Sequence, residues 1–295
     1  MRRLESEPIG ELIVATSGEV DLRDPQATHQ FVADSKPEVA IIAAARVGGI
    51  LANATAQGQF LYDNLMIGAN SIEAARRAGV DKTVILGSSC IYPRDAAQPM
   101  SEDELLTGPL EVTNEGYAIA KIAALELGKM YRRQYGMDVI SLMPTNLYGP
   151  NDNFDLETAH VFPALMRKIH EAKQAGDGEV VIWGSGLPRR EFLHADDLAE
   201  ATLFALSSYS GEQHLNVGTG VDVTIRELAE LLADVAGWTG EFVFDATKPD
   251  GTPRKLLDVS RLNRLGWEPS IPLDEGVRIT YDWFVSNLGD RVRTG

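Results

Sequence analysis

Short apolar runs alternate with longer stretches of helical periodicity along the first half of this chain. The apolar runs cover residues 12–15, 39–44, 83–86 and 139–143. Between the second and third runs, residues 60–78 carry apolar side chains at helical spacing and lead into Gly79, a typical helix stop. Repetition of strand, helix and strand predicts an α/β fold with a parallel sheet wound with helices.

The pattern changes after Pro150, where proline and glycine become frequent and the strand candidates, 180–183 and 241–244, are short. This predicts a smaller second α/β domain that caps the sheet. Helical stretches within 191–206 and 262–287 would return to the first domain. We therefore expect a first domain from 1–150 with about 191–220 and 262–290, and a second from about 151–190 and 221–261.

The composition of the chain limits the kinds of binding partner and the cellular compartment that we expect. The 295 residues carry a formal net charge of −16, which argues against a nucleic-acid partner because phosphate binding needs a basic face. No apolar stretch approaches the roughly 18 residues of a membrane span, so we expect a cytoplasmic protein without membrane association. Cys90 is the only cysteine, which excludes an intrachain disulfide and a cysteine-cluster metal site. We predict no metal.

A tyrosine and a lysine provide the first chemical signal. Tyr117 and Lys121 are four residues apart, which places them on one face of a helix. A nearby ammonium favours the phenolate, so we expect Lys121 to lower the Tyr117 pKa from about 10. The run 83–86 predicts a buried strand that delivers Ser88 to its carboxyl end, where open α/β sheets bind ligands. The spacing alone also suits an interfacial tyrosine beside a solvated lysine.

Six longer motifs extend this signal over the chain. They are Ala44-Ala-Arg-Val-Gly-Gly-Ile50, Leu86-Gly-Ser-Ser-Cys-Ile-Tyr-Pro93, Asn114-Glu-Gly-Tyr-Ala-Ile-Ala-Lys121, Met143-Pro-Thr-Asn-Leu-Tyr-Gly-Pro-Asn-Asp-Asn-Phe154, Trp183-Gly-Ser-Gly186 and Lys248-Pro-Asp-Gly-Thr-Pro-Arg-Lys255. On these motifs the chain resembles the GDP-L-fucose synthases, nucleotide-sugar enzymes of the extended short-chain dehydrogenase/reductase family. The resemblance implies a Rossmann-like doubly wound parallel sheet that binds a dinucleotide, with a smaller substrate-binding domain.

The resemblance also implies a reaction and its catalytic residues. Carbons 3 and 5 of GDP-4-keto-6-deoxy-D-mannose are inverted, and NADPH then reduces carbon 4 to give GDP-L-fucose. In the reduction, Tyr117 would protonate the carbonyl oxygen, Ser88 would hold it, and Lys121 would tune the phenol and hold the cofactor ribose. For the inversions, Cys90 and His160 match the family's acid/base pair, with ordinary pKa values of about 8.5 and 6.5. Taken alone, they also suit a buried thiol and a capping or packing imidazole.

Binding residues follow from the same resemblance. The expected cofactor residues are Ser17, Leu86, Gly87, Ser88, Ser89, Lys121, Pro144, Thr145, Asn146, Leu147 and His160. The expected GDP-sugar residues are Lys168, Trp183, Arg190 and Asp250. Cations, an aromatic surface and polar edges suit a diphosphate and a guanine. The alternatives are a solvated lysine at 168 and a core tryptophan at 183, and we interpret Asn114 as a cap or turn residue.

The chain departs from the family pattern in two places. The family begins with a strand and a Gly-x-x-Gly-x-x-Gly turn that binds the cofactor pyrophosphate, and this sequence has neither, so we expect about twenty residues to be missing through a misassigned start codon or a truncation. Loss of that central strand would expose the edges of its neighbours. After residues 12–15 the family carries an arginine for the 2′-phosphate of NADP, whereas this chain has Thr16 and Ser17. We still expect NADP, with these hydroxyls as phosphate ligands.

Alternative functions stay open at this point. One is another nucleotide-sugar epimerase or a dehydratase of the same fold, although a dehydratase would carry an Asp-Glu pair where this chain has Ser89-Cys90. The other is a cofactor-free binding or dimerisation partner that retains the sugar pocket. Helix pairs exposed on the flank of the sheet would also support a homodimer.

Overall fold

A computed structural model describes residues 2–248 and 250–288. The α-helices are α1 (Pro25–Ser35), α2 (Ile50–Thr55), α3 (Gln57–Ala78), α4 (Glu115–Tyr135), α5 (Val161–Ala175), α6 (Ala195–Ser208), α7 (Ile225–Ala236), α8 (Ser260–Leu265) and α9 (Leu273–Asn287). The strands are β1 (Val39–Ile42), β2 (Lys82–Leu86), β3 (Val139–Pro144), β4 (Asn146–Tyr148), β5 (Glu179–Trp183), β6 (Arg189–His194), β7 (Leu215–Val217), β8 (Asp222–Thr224), β9 (Glu241–Asp245) and β10 (Arg254–Lys255). Short 3-10 helices cover Leu4–Ser6, Ser89–Ile91, Glu102–Glu104 and Val112–Asn114.

Four parallel strands form the sheet that carries the predicted chemistry, in the order β1-β2-β3-β7. Successive β2 residues face opposite sides, as the two-residue period of a strand requires: Val84 packs with α6 and Ile85 packs with α3 and α4. Helices therefore cover both faces, and the predicted doubly wound α/β fold is confirmed. Leu86 is paired with Leu142, so the chain leaves β2 and β3 at the same edge.

Helices α3 and α4 pack closely beside this sheet. A Cβ on Gly68 would lie 2.9 Å from the Ala124 Cβ, which shows how near the two helices approach. Helix α3 ends as predicted, because Gly79 adopts a left-handed conformation (φ 70°) and its N–H bonds the carbonyls of the last turn. No described helix is both long and apolar enough to cross a membrane.

The predicted strand at 12–15 is wrong. These residues have no regular secondary structure, and Leu12, Ile13 and Val14 are exposed by 38%, 40% and 61%. A strand persists only when a neighbour pairs its N–H and C=O groups, and within the described residues no strand lies in register with this run. Correspondingly, β1 is an edge strand whose Val39 and Ile41 are exposed.

A second core lies beyond the sheet. Helices α5, α7 and α9 pack against the parallel pair β5 and β9, around Phe154, Phe162, Leu228 and Phe284. Between the two cores, β6 pairs with β4, β8 and β10. The domain boundaries stay a prediction.

Candidate active site

Two elements bring the predicted reducing residues together. Helix α4 carries Tyr117 and Lys121 one turn apart, as predicted, and the Lys121 Nζ donates a hydrogen bond to the Leu86 carbonyl at 2.9 Å. The same ammonium lies 5.7 Å from the centroid of the Tyr117 ring. Lys121 therefore ties the helix to the carboxyl end of β2, where ligands of parallel sheets bind.

Ser88 lies near both Tyr117, predicted for the reduction, and Cys90, predicted for the inversions. It precedes the short helix Ser89–Ile91, and its hydroxyl accepts the Cys90 N–H at 3.4 Å. The same hydroxyl lies close enough to the Tyr117 phenol and to the Cys90 thiol to lower the pKa of each. One small hydroxyl thus joins an acid suited to reduction and a thiol suited to proton transfer.

Burial reverses the expected electrostatics of Tyr117. Loss of solvent and the nearby Cys90 raise the pKa of the phenol, and the neighbouring Ser88 hydroxyl only partly offsets this rise. Lys121 is also desolvated, which lowers the pKa of its ammonium, and its proton is directed at the Leu86 carbonyl. The prediction that Lys121 lowers the Tyr117 pKa is wrong for this structure, because spacing along a helix does not reveal desolvation.

Cys90 is 6% exposed, and burial raises the pKa of its thiol. Three side chains oppose that rise: the ammonium of Lys255, the Ser88 hydroxyl and the ammonium of Lys121. Lys255 was not predicted as a site residue. It comes from β10, opposite Arg190 of β6, and the signal that could have revealed it is its place at the end of the 248–255 motif.

His160 lies on a separate segment of the chain from Ser88, Cys90 and Tyr117. It precedes the first turn of α5 and is solvent-exposed, and partial desolvation by the surrounding protein lowers the pKa of its imidazole. Within residues 2–248 and 250–288 its side chain makes no hydrogen bond to Ser88, Cys90 or Tyr117. The structure therefore joins those three residues directly, whereas His160 is held by its own segment.

The predicted cofactor residues after β3 are held by one buried glutamate, Glu191. Its carbonyl accepts the Thr145 hydroxyl at 3.2 Å and the Asn146 side-chain N–H at 2.9 Å. Its carboxylate, 0% exposed, accepts N–H groups from Thr219, Gly220 and Leu257. Sequence reasoning missed this residue, because its partners are distant along the chain.

Ser17, the first of the predicted cofactor residues, lies apart from the others in an exposed turn. The neighbouring Thr16 gives both its N–H and its hydroxyl to the Glu19 carboxylate, at 2.7 and 2.8 Å. These hydrogen bonds lower the pKa of Glu19, so a negative charge stands beside the hydroxyls proposed for a phosphate. The turn is thus a poorer phosphate site than its sequence indicates.

The predicted nucleotide-sugar residues converge around Trp183. Its side chain is 62% exposed, which excludes the alternative of a core tryptophan. Lys168 and Lys248 place their ammonium groups 5.9 and 5.2 Å from its ring centroid, and Lys248 was not predicted. Desolvation lowers the pKa of the half-buried Arg190 and the charge of Asp250 opposes that shift, so these two residues also interact.

Comparison with known proteins agrees with this geometry. A sequence model of the NAD-dependent epimerase/dehydratase family matches residues 1–218. The chain belongs to this family. GDP-L-fucose synthase 1 of Arabidopsis thaliana is 53% identical over 291 residues, which cover 99% of this chain and 90% of that protein. GDP-L-fucose synthase of Escherichia coli K12 is 52% identical over 301 residues, covering 99% and 94%.

Solved structures extend the comparison to the fold. The GDP-L-fucose synthetase of Naegleria fowleri bound to NADP superimposes with a TM-score of 0.92 at 32% identity, covering 99% of this chain and 90% of that chain. The resemblance to the GDP-L-fucose synthases that the six motifs predicted is confirmed.

Proposed function

We propose that this protein is a GDP-L-fucose synthase: it inverts carbons 3 and 5 of GDP-4-keto-6-deoxy-D-mannose and reduces carbon 4 with NADPH. The observation that carries the proposal is the Ser88 hydroxyl, which accepts the Cys90 N–H and lies close enough to the Tyr117 phenol and the Cys90 thiol to lower the pKa of each. A ketone oxygen bound at Ser88 lies beside a proton donor for its reduction and a thiol for proton transfer at the neighbouring carbon. Both reactions then use the same carbonyl.

Inversion needs one proton removed and another delivered on the opposite face of the same carbon. Desolvation raises the pKa of Cys90 and lowers that of His160, so the resting pair is a neutral thiol and a neutral imidazole. One member then carries a transferable proton and the other a free lone pair. The enolate oxygen formed between the steps accepts hydrogen bonds from Ser88 and Tyr117, which stabilises its charge.

Tyr117 is the proton donor in the reduction. Burial keeps its phenol protonated, and Ser88 orients the ketone oxygen towards it. NADPH, when bound, supplies the hydride that adds to carbon 4. The oxygen of that carbon gains the Tyr117 proton, so the ketone becomes an alcohol.

The strand-end residues fit the nicotinamide half of this cofactor. Lys121 offers a buried ammonium suited to the ribose hydroxyls, and Pro144 and Thr145 leave β3 at the same edge as Ser88. A Gly-x-x-Gly-x-x-Gly turn for the pyrophosphate is not in the printed sequence. The residues that fit NADPH are therefore those around its nicotinamide end.

The GDP moiety is assigned to the cluster around Trp183. Its exposed indole offers a stacking surface for guanine, with Lys168 on one side. Arg190 supplies a cation for the diphosphate, because planar guanidinium groups pair with phosphate oxygens. Asp250 accepts the N–H and hydroxyl of Ser185 at 2.8 and 2.7 Å and also interacts with the charge of Arg190. Its carboxylate oxygens have further lone pairs that could accept guanine N–H groups.

We further propose a cytoplasmic homodimer. Helices α3 and α4 expose apolar side chains on the flank of the sheet: Tyr62, Leu65, Ile119, Met130 and Tyr135. Pairing two copies through these helices would bury this surface. A free Cys90 thiol is required for the inversions, and a reducing compartment preserves it.

The test separates the two half-reactions. In D2O without NADPH, the GDP-keto sugar should gain deuterium at carbons 3 and 5; separately, NADP+ should oxidise GDP-L-fucose. Cys90→Ser should block deuterium uptake and retain much of the oxidation. Tyr117→Phe should block the oxidation and slow deuterium uptake less, because Ser88 still donates to the enolate oxygen, so the two variants have opposite selectivity. GDP-sugar binding without NADPH consumption would identify a cofactor-free partner, and a different sugar product would identify another epimerase; either would contradict the proposal.

A further inference from the structure

A short loop after β1, residues 46–49, is partly buried and is held by several side-chain hydrogen bonds. The side chain of Asn64 on α3 brackets Arg46: its oxygen accepts the Arg46 N–H at 2.9 Å and its nitrogen donates to the Arg46 carbonyl at 3.0 Å. Asn53 on α2 donates to the carbonyls of Gly48 and Gly49, at 2.6 and 3.1 Å. Both asparagines are buried, at 4% and 7% exposure, so these hydrogen bonds are shielded from water.

The Arg46 side chain is fixed as well. Its guanidinium pairs with Asp63 at 2.7 Å and lies 5.2 Å from the centroid of the Phe60 ring. Asp63 is itself buried and takes a second ion pair from Arg23 at 3.3 Å. The loop is therefore anchored to α3 through both its backbone and its one charged side chain.

The far end of this loop touches the segment that carries His160. The Gly49 N–H donates to the Thr158 carbonyl at 3.2 Å. A Cβ at position 49 would lie 3.2 Å from the Ala159 carbonyl oxygen and 3.5 Å from that of Thr158. The Gly49 backbone is extended (φ −64°, ψ 178°), a conformation open to any residue, so the close approach is what favours glycine here.

The segment on the other side of this contact is rigid in its own right. The Asp155 carboxylate accepts the N–H and the hydroxyl of Thr158, at 2.9 and 2.6 Å, and the Asp155 carbonyl accepts the Ala159 N–H at 2.8 Å. His160 follows at once and begins α5. A displacement at Ala159 is therefore passed to His160 rather than absorbed by a flexible linker.

We propose that the 46–49 loop is a positioning element for His160. Through the Gly49 contact it sets how far the imidazole extends towards the sugar, and Asn53 and Asn64 hold the loop in place. Proton transfer falls steeply with small changes in the distance between donor and acceptor, so this contact controls the inversion rate. The inference rests on the proposed role of His160 in the inversions.

The decisive variant is Gly49→Ala, with Gly58→Ala as its matched control. Gly58 lies in the first turn of α3, and a Cβ there would meet no atom within 4 Å. Deuterium uptake by the GDP-keto sugar in D2O without NADPH measures the inversions, and oxidation of GDP-L-fucose by NADP+ measures hydride transfer. We expect Gly49→Ala to slow deuterium uptake about tenfold, because the added methyl displaces Ala159 by a few tenths of an ångström. The oxidation should fall much less than deuterium uptake, because His160 is the only predicted cofactor residue that moves, and the thermal midpoint should stay near that of the control.

A second variant guards against a local folding defect. Asn53→Ala removes both hydrogen bonds to the loop without adding bulk, and it should also slow deuterium uptake selectively. Equal losses in deuterium uptake and in oxidation would overturn the positioning role, because general damage would explain them.

His160→Asn distinguishes this inference from the function on which it rests. If His160→Asn leaves deuterium uptake unchanged, the proposed role of His160 fails and the positioning role fails with it. If His160→Asn slows uptake while Gly49→Ala does not, only the positioning role is overturned.

Discussion

Asp152→Asn should stabilise the folded protein at neutral pH. Asp152 lies between β4 and His160, and its carboxylate accepts the Asn153 N–H at 2.7 Å. Burial outweighs that hydrogen bond and raises the Asp152 pKa from 3.8 to about 6. A rise of roughly two units corresponds to a penalty of about 3 kcal/mol for holding the charged form, at about 1.4 kcal/mol per unit.

The sign of the effect follows from proton linkage. Between pH 4 and 6 the folded state binds this proton more tightly than the unfolded state, so wild-type stability falls as pH rises through that window and is flat above it. Asparagine is uncharged throughout and keeps an acceptor oxygen for Asn153. The variant should therefore exceed the wild type by about 3 kcal/mol at pH 8 and match it below pH 4.

Urea unfolding of both proteins across this pH range measures the difference in the free energy of unfolding. Asp155→Asn is the matched control, because hydrogen bonds from Thr158 lower the Asp155 pKa and its contribution has the opposite sign. A gain for Asp152→Asn that is the same at pH 4 and pH 8 would refute the reasoning, because it would not arise from the charge. A loss of stability at pH 8 would also refute it.

Two further outcomes are expected. Glu191→Gln should lower the free energy of unfolding, measured in urea, by about 1–3 kcal/mol. Both carboxylate oxygens accept main-chain N–H groups, and the amide replaces one of these oxygens by an N–H₂ group. An unchanged midpoint would show that the Glu191 charge does not stabilise the main chain at 219–220 and 257. The rate of deuterium uptake should not change between about pH 6.5 and 8.5. Desolvation lowers the His160 pKa and raises the Cys90 pKa, so the acidic and basic limbs of the pH–rate profile both move outside this range. A rise or fall of the rate within this pH range would contradict the proposal that Cys90 and His160 are both uncharged before the reaction.

The fold was predictable where local pattern decides it. Strands β2 and β3 are buried on both faces, so their sequences are apolar runs. Helix α3 ends at Gly79, whose left-handed conformation favours glycine. The run at 12–15 is as apolar as those strands but remains unpaired. Strand formation depends on a partner elsewhere in the chain, and periodicity carries no information about that partner.

The candidate site also has residues that local sequence predicts and residues that it does not. Ser88, Cys90 and Tyr117 were predicted because two short motifs hold them, and the structure does bring them together. Lys255 and Glu191 were missed because their partners are distant in sequence. The direction of the Tyr117 pKa was wrong for a related reason, since the spacing to Lys121 is local whereas desolvation depends on the whole fold.

Strand β6 connects the two predicted halves of this site. The Glu191 carbonyl holds Thr145 and Asn146 on the cofactor side, while the adjacent Arg190 belongs to the predicted GDP cluster. Arg190 is paired in register with Lys255, whose charge acts on the Cys90 thiol. A shift of β6 along its axis would therefore move the cofactor contacts, the diphosphate cation and the electrostatic environment of the thiol together. Two reactions on one sugar require a constant spacing between these groups, and a single buried strand provides it through main-chain hydrogen bonds that do not depend on bound substrate.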